Sequence, residues 1–170
     1  MPVVIIEGVD GSGKSTFADK IAALVPHDYE IIRDHKGPLT DPVWDEYVTP
    51  LMNVRDDQFL IADRWHVGEM IYGPLYRGKS EVTPAEERLI ELLLSRMGAV
   101  RIIMQPGLST VRKRLGDRGE DFLLAENVKE VREFYGNYAD KHNWDVIPNG
   151  TKQLAQAVVD SAIANAWVVT

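Results

Sequence analysis

Apolar residues in this chain alternate between two rhythms. Short unbroken runs of β-branched and aliphatic residues, such as residues 3–6 (VVII), 58–62 (QFLIA) and 100–104 (VRIIM), carry no polar alternation. Such runs are expected of strands buried on both faces of a parallel sheet. Residues 29–33 and 144–147 read as two further strands. Between them the period lengthens to that of a helix: Phe17, Ile21 and Leu24 share a face over 14–25, and Trp44, Tyr47 and Leu51 share one after Pro42. Thr83, Pro84 and Glu86 form a capping-box start for a helix carrying Leu89, Leu92, Leu93 and Met97, with Gly98 beyond its end. The pattern further predicts helices over 65–72, 109–115 and 124–142, and a last one from Thr151 to about Trp167. Residues 73–82, with Gly73, Pro74 and Gly78, read as a loop. Strand and helix thus alternate about five times. The expected fold is α/β in three layers: a parallel sheet of about five strands, helices on both faces and right-handed crossovers.

The length of 170 residues predicts one domain over 1–170. Net charge is −7, so a general nucleic-acid or membrane-surface binder is disfavoured, and an anionic small molecule would need a local basic patch. The absence of cysteine removes disulfides and thiolate chemistry and suits a reducing cytoplasm. No apolar run approaches the ~18 residues of a membrane span, and the opening residues read as a strand rather than a leader.

The loop after the first strand, 8-GVDGSGKS-15, fits G-x-x-x-x-G-K-[ST]. Gly11, Ser12 and Gly13 let successive amides curl around phosphate oxygens. The helix starting at Lys14 adds its positive end, Lys14 reaches the outer phosphates, and Ser15 and Thr16 supply hydroxyls. A glycine-rich turn without a ligand is the competing reading. Asp63 closes the third strand, where a second Mg²⁺-positioning acid is expected beside Ser15, although it could simply cap the next helix. Arg64 follows it and would neutralise charge on a transferring phosphoryl group. Arg112, Lys113, Arg114 and Arg118 lie around Gly116 and Gly119. They read either as a solvated face or as a mobile lid over about 112–121 that delivers guanidinium groups, Arg114 and Arg118 foremost. Trp44, Tyr47, Trp65 and Tyr76 are aromatic candidates for stacking a base, Trp65 first.

With 6-IEGVDGSGKST-16, 61-IADRW-65, 71-IYG-73 and 112-RKRLGDRGED-121 followed by 131-VREFY-135, the chain resembles the thymidylate kinase family of P-loop nucleoside monophosphate kinases. The resemblance implies ATP as donor, Mg²⁺, nucleotide substrates, a cytoplasmic enzyme and, as an open expectation, a homodimer. It gives Lys14, Arg64, Arg114 and Arg118 catalytic roles and places Arg112 nearer the adenine. Asp10 would meet the acceptor's 3′-hydroxyl, Arg33 its phosphate, Trp65 its base, and Tyr72 the space of a ribose 2′-hydroxyl. The family's Arg-Glu-Pro is here Arg33-Asp34-His35, and 74-PLYRGKS-80 departs from its pattern. Two other readings stay open: a deoxynucleoside kinase with Glu7 as base, and a nucleotide-binding switch without an acceptor.

Overall fold

The structure, a computed structural model, describes residues 1–118 and 126–166. Five strands, β1 (Val3–Glu7), β2 (Glu30–His35), β3 (Gln58–Asp63), β4 (Val100–Met104) and β5 (Asp145–Ile147), form one sheet in the order β2-β3-β1-β4-β5. All four pairings are parallel. β1 therefore lies between β3 and β4, and the chain leaves it where strand order reverses, the place where such sheets bind ligands. Register brings the strand ends level: Ile6 pairs with Asp63, Glu7 with Ile103 and His35 with Asp63.

The central strands β1, β3 and β4 are largely apolar because both of their faces are covered, whereas β2 at the sheet edge carries Glu30, Arg33, Asp34 and His35. Val3, Ile5, Leu60, Ala62 and Ile103 pack on one side, and Val4, Ile6, Phe59, Ile61 and Ile102 on the other. Helices α1 (Lys14–Ala22) and α7 (Lys152–Ala166) cover the second face through Phe17, Ile21, Ala155 and Val159. The first face is covered by α3 (His66–Arg77), α4 (Pro84–Arg96), α5 (Leu108–Arg118) and α6 (Val128–His142), with Val67, Ile90, Val111 and Val131 among their buried contacts. Each such buried aliphatic side chain contributes roughly 1.5–3 kcal/mol relative to exposure. A π-helical turn, Trp44–Val48, runs into α2 (Thr49–Asn53) beside them. Thr83 and Glu86 make the expected capping box on α4, and the Thr151 hydroxyl accepts the Leu154 amide at the start of α7.

Two expectations need correction. Residues 73–77 are not loop: α3 continues through Gly73 and Pro74 to Arg77 and stops at Gly78, whose φ of 79° turns the chain back. Helix α5 runs past the expected end at 115 and takes in Gly116. The Arg118 side chain, Gly119 and the rest of the expected lid to residue 121 lie outside the described residues, as does Trp167. Among the described residues no helix is long and apolar enough to cross a membrane.

Candidate functional site

β1 delivers its carboxyl end to a loop built on left-handed backbone. Gly8, Gly11 and Gly13 have φ of 135°, 75° and 96°. At Gly8 a side chain is impossible twice over, since a Cβ would also lie 2.3 Å from the Met104 carbonyl oxygen of the neighbouring strand. The Ser12 amide closes the loop on the Val9 carbonyl at 3.1 Å, and α1 begins at Lys14. The Lys14 ammonium is buried and donates to the carbonyls of Gly8 (2.7 Å) and Val9 (3.1 Å). Burial, with the Arg64 charge nearby, lowers its pKa to about 8 against the pull of Asp10, Asp63 and Glu7. The loop thus holds a lysine whose charge is under-compensated, a setting that favours an incoming anion.

Ser15 donates its hydroxyl to Asp63 Oδ2 at 2.5 Å, and His35 Nδ1 lies 3.3 Å from the same oxygen. Asp63 Oδ1 is buried with no hydrogen-bond partner among the described residues. A carboxylate oxygen buried in that state, beside an aliphatic hydroxyl and under a phosphate loop, fits a hard divalent cation such as Mg²⁺. Among the described residues no group of three or more His, Asp or Glu side chains could hold a metal ion by itself. The cation would lean on Ser15, Asp63, water and the phosphates themselves, as Mg²⁺ commonly does.

Arg64 adopts φ 74°, unusual for a residue with a side chain, and its amide donates to the Ile6 carbonyl at 2.9 Å. Its Nη2 pairs with Asp10 Oδ1 in the loop, and the Asp10 amide donates to the Tyr72 hydroxyl at 3.3 Å. Beneath this pair Glu7 is completely buried. Its Oε1 accepts the amides of Trp65 (2.8 Å) and Gly68 (3.1 Å), and its Oε2 accepts the Tyr135 hydroxyl (3.2 Å). Burial raises its pKa, with the two amides acting against that. Both Glu7 oxygens thus hold the β3–α3 backbone and α6 in place behind the Arg64 turn.

Two cavities flank the loop. One of about 310 Å³ is lined by Gly11, Gly13, Thr16, Lys20, Arg114 and the Asn149-Gly150 turn. Arg114 reaches back from α5 to donate through Nη1 to the carbonyls of Gly11 (3.0 Å) and Ser12 (3.1 Å). The other, of about 280 Å³, is lined by Arg64, Trp65, Gly68, Tyr72, Lys36 and the far end of α3. Trp65 is buried against Tyr47, ring centroids 5.6 Å apart, and the Lys36 ammonium sits 4.9 Å over its ring. Burial raises the Tyr72 pKa, so the phenol stays protonated, and its ring stacks on Tyr76.

The structure therefore brings Asp10, Gly11, Ser12, Gly13, Lys14, Ser15, Thr16, Asp63, Arg64, Trp65, Tyr72 and Arg114 around one loop. It does not bring Arg33 there. Arg33 points to the α1 face of the sheet, where Nη1 pairs with Asp19 at 3.0 Å. Arg112 is exposed on α5 and is not among the lining residues of either cavity. Trp44, more than half exposed, is likewise outside. Sequence reasoning missed Lys36, Glu69 and Arg77. Lys36 lines the cavity that Arg33 does not reach, because strand parity turns Asp34, the partner of Lys36 at 2.8 Å, to the face opposite Arg33.

A five-stranded parallel sheet in this order, helices on both faces and a glycine-rich loop after β1 make a three-layer α/β fold. Comparison with solved structures agrees. YorR from Bacillus subtilis, solved in complex with phosphorylated GDP, superposes with a TM-score of 0.71 at 20% identity over 98% of this chain and 96% of its own. Thymidylate kinase from Candida albicans gives 0.60 at 16% identity over 96% and 93%. Deoxyadenosine kinase from M. mycoides with bound dATP gives 0.55 at 14% over 94% and 98%. The sequence matches no protein-family model and no curated protein.

Proposed function

We propose that the protein transfers the γ-phosphate of ATP to a deoxynucleoside monophosphate, a dTMP-like acceptor being favoured, and releases ADP and the diphosphate. The observation that carries this reading is the contact between two half-sites: Asp10 of the phosphate loop is paired with Arg64, which lines the second cavity. A donor phosphate chain lying along Gly11–Thr16 and an acceptor lying in the Trp65–Tyr72 cavity would meet at that pair. The structurally similar proteins include a thymidylate kinase, a deoxyadenosine kinase with bound dATP and a protein in complex with phosphorylated GDP.

The reaction is an in-line displacement. An oxygen of the acceptor's phosphate attacks the γ-phosphorus, the bond to the β,γ-bridging oxygen breaks, and that oxygen's electron pair leaves with ADP. The nucleophile is already anionic, so no strong base is required, in keeping with the occupied state of Glu7. The chain's task is positioning and charge neutralisation. Lys14 exchanges its loop carbonyls for phosphate oxygens, Arg64 spans acceptor and transferred phosphate, and Arg114 enters from the donor side. Ser15 and Asp63 would hold Mg²⁺, which supplies charge neutralisation on the β- and γ-phosphate oxygens. Asp10 would then accept a hydrogen bond from the sugar 3′-hydroxyl, and Tyr72 would crowd out a 2′-hydroxyl.

The test is ADP release by purified protein with ATP and Mg²⁺ against a panel of nucleoside monophosphates and nucleosides. A deoxynucleoside monophosphate should raise the rate by orders of magnitude. Stimulation by nucleosides alone would replace this reading with a 5′-hydroxyl kinase, and no stimulation by either would leave a nucleotide binder.

A further inference from the structure

The segment 74-PLYRGKS-80 finds its explanation in Glu69. This carboxylate is buried on α3 and lines the cavity beside Gly68 and Tyr72. Its two oxygens lie 2.5 Å from a single nitrogen, Arg77 Nη2, and Oε1 also accepts the Glu81 amide at 3.2 Å. The local backbone is shaped to allow this. A Cβ on Gly73 would sit 2.7 Å from Glu69 Oε1 and 2.7 Å from the Lys79 carbonyl oxygen, so only glycine lets the carboxylate and the returning chain close over this turn of the helix. Gly78, with φ 79°, provides the return. Arg77 is a third exposed and lines the same cavity. With Nη2 given to Glu69, its Nη1 and Nε remain as donors held on a planar fork by a buried anion.

From this we infer that Arg77 is a specificity-determining residue that reads the acceptor's base by donating to an exocyclic carbonyl oxygen, and that Glu69 is the positioning residue that aims it. The inference rests on the cavity being the acceptor site of the proposed function. Order along the chain decides which end of the acceptor Arg77 meets. Arg64, paired with the phosphate loop, takes the phosphate end; Tyr72 follows at the sugar; Arg77, at the last turn of α3, is left for the base. Its fixed donors match O4 of thymine or uracil and O6 of guanine. The amino groups of cytosine and adenine at those positions would set donor against donor, while Glu69 is engaged by Arg77 on both oxygens and by the Glu81 amide on Oε1. The predicted class is therefore an oxo-base: the 4-oxopyrimidine and 6-oxopurine monophosphates.

The experiment compares kcat/KM for dTMP, dUMP and dGMP against dCMP and dAMP. Wild type should favour at least one oxo-base over both amino-bases by on the order of tenfold to hundredfold, the discrimination one fork contact provides. Arg77→Ala should collapse that ratio toward one by selectively losing the oxo-bases. Because removing Arg77 leaves Glu69 buried and unpaired, Arg77→Lys is the second variant: it retains the cation, loses the fork and should narrow the ratio while the protein stays folded. Glu69→Gln should raise KM for the oxo-base more than it lowers kcat. If wild type uses dCMP or dAMP as well as any oxo-base, or if Arg77→Lys and Arg77→Ala lower every acceptor by one common factor, Arg77 is a general cation and the inference fails while the monophosphate reading stands. If no monophosphate is turned over, both fall together.

Discussion

At the scale of single residues, the site concentrates cost at two side chains. Arg64 occupies a left-handed backbone conformation that costs of order 1–3 kcal/mol and holds there because Glu7 braces the following amides. If its role is to meet charge that develops during transfer, Arg64→Ala should lower kcat by on the order of 10²-fold or more. Steady-state kinetics with both substrates varied checks this; a rise in acceptor KM with kcat unchanged would make Arg64 a binding residue only. Lys14 carries the other cost. Its folded pKa of about 8 lies below the usual 10.5, so between those values the unfolded chain holds a proton that the folded chain has released. The ligand-free protein should therefore gain stability as pH rises through that window, a gain absent in Lys14→Met. Bound phosphates favour the protonated amine, so ATP affinity should fall over the same window. Melting curves and ATP titrations at pH 7.5 and 9.5 read both effects.

At the scale of elements, what was legible in the sequence was local. The β1 run, the loop spacing, Asp63 at a strand end and the Thr83 capping box each depend on neighbours within a few positions. What was not legible depended on parity and tertiary support. Arg33 and Lys36 both follow the apolar part of β2, and only the pleat decides that one meets Asp19 on α1 and the other Trp65. Gly73-Pro74 reads as a breaker, yet α3 accepts Pro74, and Glu69, Gly73 and Arg77 then stack at helical spacing. Two predictions belong here. Gly8→Ala sets a Cβ against the β4 backbone at an unfavourable φ and should cost about 2–4 kcal/mol, lowering Tm by roughly 5–15 °C. Arg114→Ala removes bonds to the loop carbonyls from a half-exposed helix face. It should leave Tm within a few degrees of wild type while reducing kcat by about 10²-fold or more, as measured by melting and turnover on the same preparation.

At the scale of the whole molecule, the parallel sheet places two cavities on either side of one strand end and lets Asp10 and Arg64 join them. The proposed chemistry requires both cavities to be filled at once with their phosphates in line. A bisubstrate analogue, adenosine linked through its phosphates to a deoxynucleoside, tests that requirement without depending on turnover. Isothermal titration should give one analogue bound per chain, with an affinity on the order of 10²–10⁴ times that of ATP, since the second half binds at high effective concentration. Arg64→Ala should remove most of that gain. An analogue that binds no more tightly than ATP, or equally well to wild type and Arg64→Ala, would contradict the account, because the acceptor half would then find no site beside the phosphate loop.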